Sequence, residues 1–456
     1  MNSFKQISNI APGTKILFAN IPADGHFNPL TGLAAYLKSI GCDVRWYTSS
    51  SYKEKVRRLG IPLYEFKHAL DISANTDLDA IFPERKNHRS QISKLKFDII
   101  NVFIQRSPEY YADILDIYRD FKFEIMIADI TFGGIPFVRD KMNIPVISIS
   151  VVPLPETSRD LPPSGLGLTP SYSFFGKIKQ SVLRFIADRL IFAEPTRVMR
   201  RILSENGIDP GNHNVFDVLI QKSTVVLQSG TPGLEYQRSD LSSHVHFAGP
   251  MLPHAVKKEG EKWFHEKLRQ YEKVVLVTQG TVEKDISKLL IPTLEALKNS
   301  DCLVVVTTGG SQTEELKKNY PQQNIIIEDF IPFADVLPYV DVYVSNGGYG
   351  GVLLSIQHSV PMVVAGVHEG KNEINARVAF FELGINLGTE RPGAAQIKKA
   401  VSEVMTGTKY TDNVKKLCCE FRRYKPEEIC AKHVGRLLQQ SAKQRQISRS
   451  EAELIY

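Results

Sequence analysis

Two doubly wound α/β domains, each on a parallel sheet and facing each other across a cleft, are the fold class this sequence predicts. Three observations carry that expectation. The chain has 456 residues, too many for one ordinary hydrophobic core. Short apolar runs alternate with longer amphipathic stretches, the strand–helix alternation of a mainly parallel sheet. The alternation comes as two separate series, split by turn residues and the charged run KKEGEKW.

The first series opens with KILFANI (Lys15–Ile21), a buried strand by length and composition. PLTGLAAYLKSIG (Pro29–Gly41) reads as a helix, because Leu30, Leu33, Ala34 and Leu37 share one face and Gly41 ends it. DVRWYTS (Asp43–Ser49), EIMIAD (Glu124–Asp129), PVISISV (Pro145–Val151) and STVVLQS (Ser223–Ser229) read as further strands. The second series begins at KVVLVTQG (Lys273–Gly280) and a helix over about 286–299. CLVVVTTG (Cys302–Gly309), NIIIEDF (Asn324–Phe330), VDVYVSNGG (Val340–Gly348) and PMVVAG (Pro361–Gly366) continue it. The division that follows is 1–249, a linker over 250–271, 272–424, and a C-terminal helix with a polar tail over 425–456 that returns to the first domain. The stretch SFFGKIKQSVLRFIADRL (Ser173–Leu190) reads as a packed helix with solvated charges.

Composition narrows the class. Hydrophobic residues make up 43% and charged residues 23%, as in water-soluble globular proteins. A net charge of +6 is mild at this length; it suits a small anionic ligand and gives no particular support for nucleic acid. Cys42, Cys302, Cys418, Cys419 and Cys430 are odd in number and lack C-x-x-C spacing, which points to a reducing cytoplasm and away from a disulfide framework or zinc site. Neither a signal peptide nor a membrane span is expected, and the tail from Gln439 is expected to fray.

Ligands of doubly wound sheets bind beyond the carboxyl ends of the strands. PADGHFNPL (Pro22–Leu30) follows the first strand without a G-x-G-x-x-G fingerprint, which argues against a dinucleotide oxidoreductase. It places His26 at the cleft, where an imidazole can take a proton from a hydroxyl if an acid orients its other nitrogen. Asp129, ending a parallel strand, is the candidate partner and Asp24 the runner-up. Phe27 and Phe132 flank the pair and are candidate contacts for a flat aromatic acceptor, and the Pro- and Gly-rich segment 151–174 is a candidate wall over His26. In the second domain, SNGGYGGV (Ser345–Val352) packs Gly347, Gly348, Gly350 and Gly351 at a strand-to-helix turn whose free N–H groups favour a phosphate. Gly280 and Thr281 offer a further N–H and a hydroxyl, Phe330 and Ile331 end a strand where an aromatic can stack on a base, and His368, Glu369 and Lys371 offer polar contacts to sugar or phosphate.

These elements, in this order, resemble the GT-B glycosyltransferases of family 1. The likeness is to bacterial macrolide- and flavonoid-type enzymes, and most closely to bacterial flavonoid rhamnosyltransferases. KILFAN-PADGHFNPLTGLA, VTQGTVEK, IIEDFIPF, NGGYGGV and AGxHEGKNEINAR carry it, over almost the whole chain. The resemblance implies an inverting displacement with no metal and no cofactor beyond a nucleoside-diphosphate sugar. His26 would be its base and Asp129 the base's partner, with a small-molecule acceptor. Three positions depart from the family pattern. Asn346 stands where a phosphate-contacting His is usual, Leu354 where a Glu grips the ribose, and Gly370–Lys371 where an Asp-Gln pair reads the sugar. A dTDP-linked 6-deoxyhexose such as rhamnose, whose nucleotide lacks the 2′-hydroxyl, is therefore the expected donor and a flavonoid-like hydroxyl the expected acceptor. The alternatives are UDP-glucose transfer to a flavonoid or macrolide, transfer to a lipid acceptor, and a ligand-binding homologue that has lost catalysis.

Overall fold

A computed structural model describes residues 10–73, 76–254, 262–280, 283–368 and 370–453. Seven strands form the first sheet: β1 (Lys15–Ala19), β2 (Asp43–Thr48), β3 (Leu63–Glu65), β4 (Ile125–Asp129), β5 (Val146–Ser150), β6 (Val225–Ser229) and β7 (Val245–Gly249). Their order is β3-β2-β1-β4-β5-β6-β7. The second sheet holds β8 (Val274–Thr278), β9 (Leu303–Thr307), β10 (Ile325–Glu328), β11 (Val342–Ser345), β12 (Met362–Val364) and β13 (Gly384–Asn386). Its order is β10-β9-β8-β11-β12-β13, and every strand pair in both sheets is parallel. Each sheet is covered on both faces. Ile16 and Phe18 of β1 enter one core cluster while Leu17 and Ala19 enter another, and β8 divides in the same way. Burial on both faces is why these strands read as unbroken apolar runs rather than alternating ones.

Three strands lie outside the sequence expectation: β3, β7 and β13, each at a sheet edge. Edge strands are short or partly polar, so they leave no continuous apolar signal. The first helix spans Asp24–Ser39, five residues earlier than expected, and takes Pro29 into its interior. The helix Pro426–Glu453 continues through the stretch expected to fray. Its Cys430, Ala431, Val434 and Leu437 pack in the core beneath β1, β2 and the first helix. Among the described residues no helix is long and apolar enough to cross a membrane.

One expectation is met only in part. The helix Phe174–Ile186 buries Gln180 and leaves Phe174, Phe175, Val182 and Phe185 exposed. Its charges Lys177, Lys179 and Arg189 are solvated as its sequence suggested, but its apolar face is not packed.

Candidate active site

Parallel β1 and β4 are neighbours in register, Ala19 beside Ala128, so both C-terminal ends open on one edge. The chain leaving β1 turns at Ala23 and enters the helix at Asp24, which puts His26 in the first helical turn rather than in a loop before it. Its Nδ1 lies 3.1 Å from Asp129 Oδ1. Asp129 is fully buried. Its charge is met by N–H donors: Ile21 N to Oδ2 at 2.9 Å and Thr131 N to Oδ1 at 2.9 Å. The Thr131 hydroxyl donates to the same carboxylate and stands 3.3 Å from His26 Nδ1. A carboxylate supplied this way stays fixed against the imidazole and favours the tautomer with the proton on Nδ1, which frees Nε2 to accept one. Asp24, the other candidate partner, accepts from Tyr52 Oη at 3.0 Å and from Lys55.

Phe27 and Phe132 are corrections to the sequence reading. Phe27 is 2% exposed and packs at 4.7 Å from the rings of both Trp46 and Tyr52. Phe132 is fully buried, 4.8 Å from the Tyr110 ring. Each follows or flanks His26 or Asp129 in the chain, but the helix rotates Phe27 by about 100° from His26 and into the core. The acceptor-side opening is a separate cavity of about 300 Å³. Thr131 stands on its rim, Phe103, Met199 and Phe216 furnish apolar wall, and Leu154 and Gly165 come from the segment expected to cover His26. Gly370, Glu373 and Ile374 of the second domain complete it.

The glycine-rich loop leaves β11 and starts the helix Tyr349–Gln357 with Gly348 as N-cap. The N–H groups of its first turn have no intrahelical partner, which suits them to an anion. Gly347 has φ +84°, and a Cβ there would stand 1.7 Å from Asn375 Oδ1, so no other residue fits. Gly350 has open space around its missing side chain, whereas Gly351 lies against the Tyr343 hydroxyl. Asn346 donates through Nδ2 to the Gln279 carbonyl, tying this loop to the end of β8 beside Gly280, which has φ +79°. Lys371 reaches the same place, its Cδ lying over Gly366 next to the Asn346 carbonyl. Phe330 is 67% exposed and presents a free ring, while the Ile331 side chain is core, leaving only its main chain for a ligand. His368 is exposed and its N–H donates to Glu390 at 2.9 Å. Burial alone would raise the Glu390 carboxyl, but the Val367 and His368 N–H bonds and the His368 and Lys371 charges lower it overall. Thr281 and Glu369 lie outside the described residues.

Four groups that the sequence did not single out join the two domains. Arg377 pairs with Glu235 at 2.8 Å, both buried, and with Glu373 at 3.1 Å. The Glu373 carboxylate also accepts the N–H groups of Gly165 and Gly167 at 2.9 and 2.8 Å. Tyr349 Oη donates to the Ser229 carbonyl at 2.7 Å. Glu373 and Arg377 stand at i,i+4 on one helix, a spacing visible in sequence. Their partners more than a hundred residues away are not.

Comparison with known proteins matches this geometry to a family. The model of the erythromycin biosynthesis protein CIII-like C-terminal domain covers residues 292–435. The chain is 33% identical over 410 residues to 4'-demethylrebeccamycin synthase of Lentzea aerocolonigenes, spanning 90% of this chain and 96% of that one. It is 29% identical over 443 residues to UDP-glucosyltransferase 1 of Beauveria bassiana, spanning 92% of this chain and 94% of that one. The glycotransferase of kitacinnamycin superposes with a TM-score of 0.72 over 94% of this chain and 100% of that chain, at 20% identity, a likeness of fold. With two parallel-sheet domains, a cleft between them and a relative of this similarity over nearly its full length, the chain belongs to the GT-B family 1 glycosyltransferases, of the macrolide, erythromycin-CIII-like type.

Proposed function

We propose that the protein is an inverting, metal-independent glycosyltransferase that moves a 6-deoxyhexose, such as rhamnose, from a dTDP donor to a hydroxyl of a flat, mostly apolar acceptor of the flavonoid kind. The observation that supports this reading is the His26–Asp129 pair, linked through Thr131 to the lining of an apolar cavity, in a chain whose second domain has a glycine-rich helix start. His26 Nε2 takes the proton of the acceptor hydroxyl, and Asp129 stabilises the resulting imidazolium. The oxygen attacks the anomeric carbon from the face opposite the diphosphate. The carbon–oxygen bond to the diphosphate breaks, and the nucleotide leaves with the electron pair. The amides of 348–351 hold that charge with fixed dipoles, and Lys371 adds a cation beside them. Phe330 offers its exposed ring to the base.

The donor assignment rests on Leu354, a partly buried apolar side chain at the position where the family pattern has a ribose-gripping acid. A leucine accepts no hydrogen bond from a 2′-hydroxyl, and a thymidine nucleotide has none to offer. The relative named a UDP-glucosyltransferase favours the second reading, transfer from UDP-glucose. A screen of dTDP-rhamnose and UDP-glucose against flavonols and macrolactones, read by the mass added to the acceptor, separates the two. Initial rates higher with dTDP-rhamnose are expected; a strong preference for UDP-glucose would overturn the donor assignment while leaving the transfer chemistry in place.

A further inference from the structure

The helix Phe174–Ile186, with its continuation to Ile191, turns an apolar face to solvent. Gln180 and Arg184 tie its inner side to the protein. Gln180 is 4% exposed, accepts the Ser171 N–H at 2.5 Å and donates to the Asp160 carbonyl at 3.0 Å. Arg184 donates to the Leu161 carbonyl. The apolar side faces solvent: Phe174 is 74% exposed, Phe175 81%, Phe185 64% and Leu190 68%, with Ile178 and Val182 about half exposed between them. At about 100° per residue, Phe174, Ile178, Val182 and Phe185 form one stripe with Phe175 at its edge. Ile92 and Leu95 of the helix Gln91–Asp98 extend the patch, joined through Lys96 Nζ to the Leu190 carbonyl at 3.1 Å. An apolar face this large and contiguous marks an interaction surface.

Charge identifies what covers it. Lys177, Lys179 and Arg189 stand exposed along the stripe, and Arg89 lies beside the second helix. The single acid of the segment, Asp188, is half-buried and held by Asn214 Nδ2 at 3.2 Å. A second copy of the chain would bring these cations face to face. An anionic bilayer meets both properties at once, taking the apolar stripe into the acyl boundary and the cations at the headgroups. We propose that this face docks the protein on anionic membrane surfaces, with the helix lying in the interfacial plane. Ala187 and Phe192 at its end pack with Ile104, Met199 and Val215, three residues that also line the acceptor cavity. The helix that bears the docking face thus shares a core cluster with the wall of that cavity. The proposal does not depend on which sugar is transferred.

Sedimentation of the full chain with vesicles tests it. Phosphatidylcholine vesicles containing about a quarter phosphatidylglycerol should carry the protein down, and pure phosphatidylcholine should bind at least roughly tenfold more weakly, with binding to the anionic vesicles falling as salt rises. Phe175→Ser with Phe185→Ser changes two exposed side chains, so the variant should melt like the wild type yet lose roughly tenfold or more in vesicle affinity. Lys177→Glu with Lys179→Glu should remove the preference for the anionic vesicles. Wild-type protein that stays in the supernatant with both vesicle types would overturn the proposal, as would a Phe175→Ser, Phe185→Ser variant that binds undiminished. Concentration-dependent dimerisation abolished by the same two serines, without vesicle binding, would assign the face to a second copy instead.

Discussion

At the scale of single residues, the catalytic assignment turns on how one imidazole is held. Asp129 spends its lone pairs on Ile21 N–H, Thr131 N–H, the Thr131 hydroxyl and His26, so nothing is left to pull the ring away. Replacing His26 with Ala should lower kcat/KM by about 10²–10⁴-fold, with donor binding retained, as read by steady-state kinetics and calorimetric titration of the nucleotide. Thr131→Val keeps the shape but removes the hydroxyl, and should lower kcat by roughly tenfold. Unchanged turnover in His26→Ala would dismiss the base. The pair itself was legible in the sequence, because a histidine after one strand and an aspartate ending another meet at the same sheet edge. Thr131 was not: two residues past Asp129, nothing in the chain tells which way its hydroxyl points. Phe27 and Phe132 show the converse error, since adjacency along a chain says little about direction across a helix or under a sheet.

At the scale of elements, central strands and the glycine-rich helix start were readable, because burial on both faces and crowded glycines leave strong local patterns. Edge strands and the outward apolar face of the helix Phe174–Ile186 were not, because a hydrophobic period shows that a face is apolar without showing which side the protein lies on. The returning helix Pro426–Glu453 carries a second kind of information. His433 packs against His246 of β7, ring centroids 4.7 Å apart and the planes tilted by 37°. Burial, with the positive fields of His246, Arg436 and Lys432, lowers the His433 imidazole to about 4. His246 is lowered too, by burial first and then by Arg436 and His244. Both rings therefore hold a proton less readily in the fold than in the unfolded chain, where the ordinary value is about 6.5. The unfolded state binds more protons in that range, so stability is full above about pH 6.5 and falls as pH drops toward about 4. The thermal midpoint should decline across that window, and His433→Gln should flatten the decline while leaving the midpoint at neutral pH close to that of the wild type. An unchanged slope in a midpoint-versus-pH series would remove the pair as its cause.

At the scale of the whole molecule, the two domains are joined by apolar contacts, Leu234 in the second core and Tyr236 against Phe380 and Phe381, and by a few buried polar groups. Glu235 and Arg377 are 3% and 4% exposed, and each is the other's closest opposite charge. Arg377→Met leaves a buried carboxylate without its cation and should cost about 3–5 kcal/mol in urea unfolding, while adding Glu235→Gln should recover part of that loss. Equal stability of the single and double variants would show that the pair does not act as a unit. The fastening was hidden in the sequence because both partners read as ordinary charges in separate segments. Glu373 adds a further consequence. One carboxylate holds the N–H groups of Gly165, which lines the apolar cavity, and Gly167, and stands two residues from Lys371, the residue proposed to meet the diphosphate. A nucleotide sugar that repositions the start of this helix changes the free energy of the loop over the other substrate. Thermodynamic linkage makes that influence mutual, so occupancy of the acceptor cavity must alter donor affinity by the same factor.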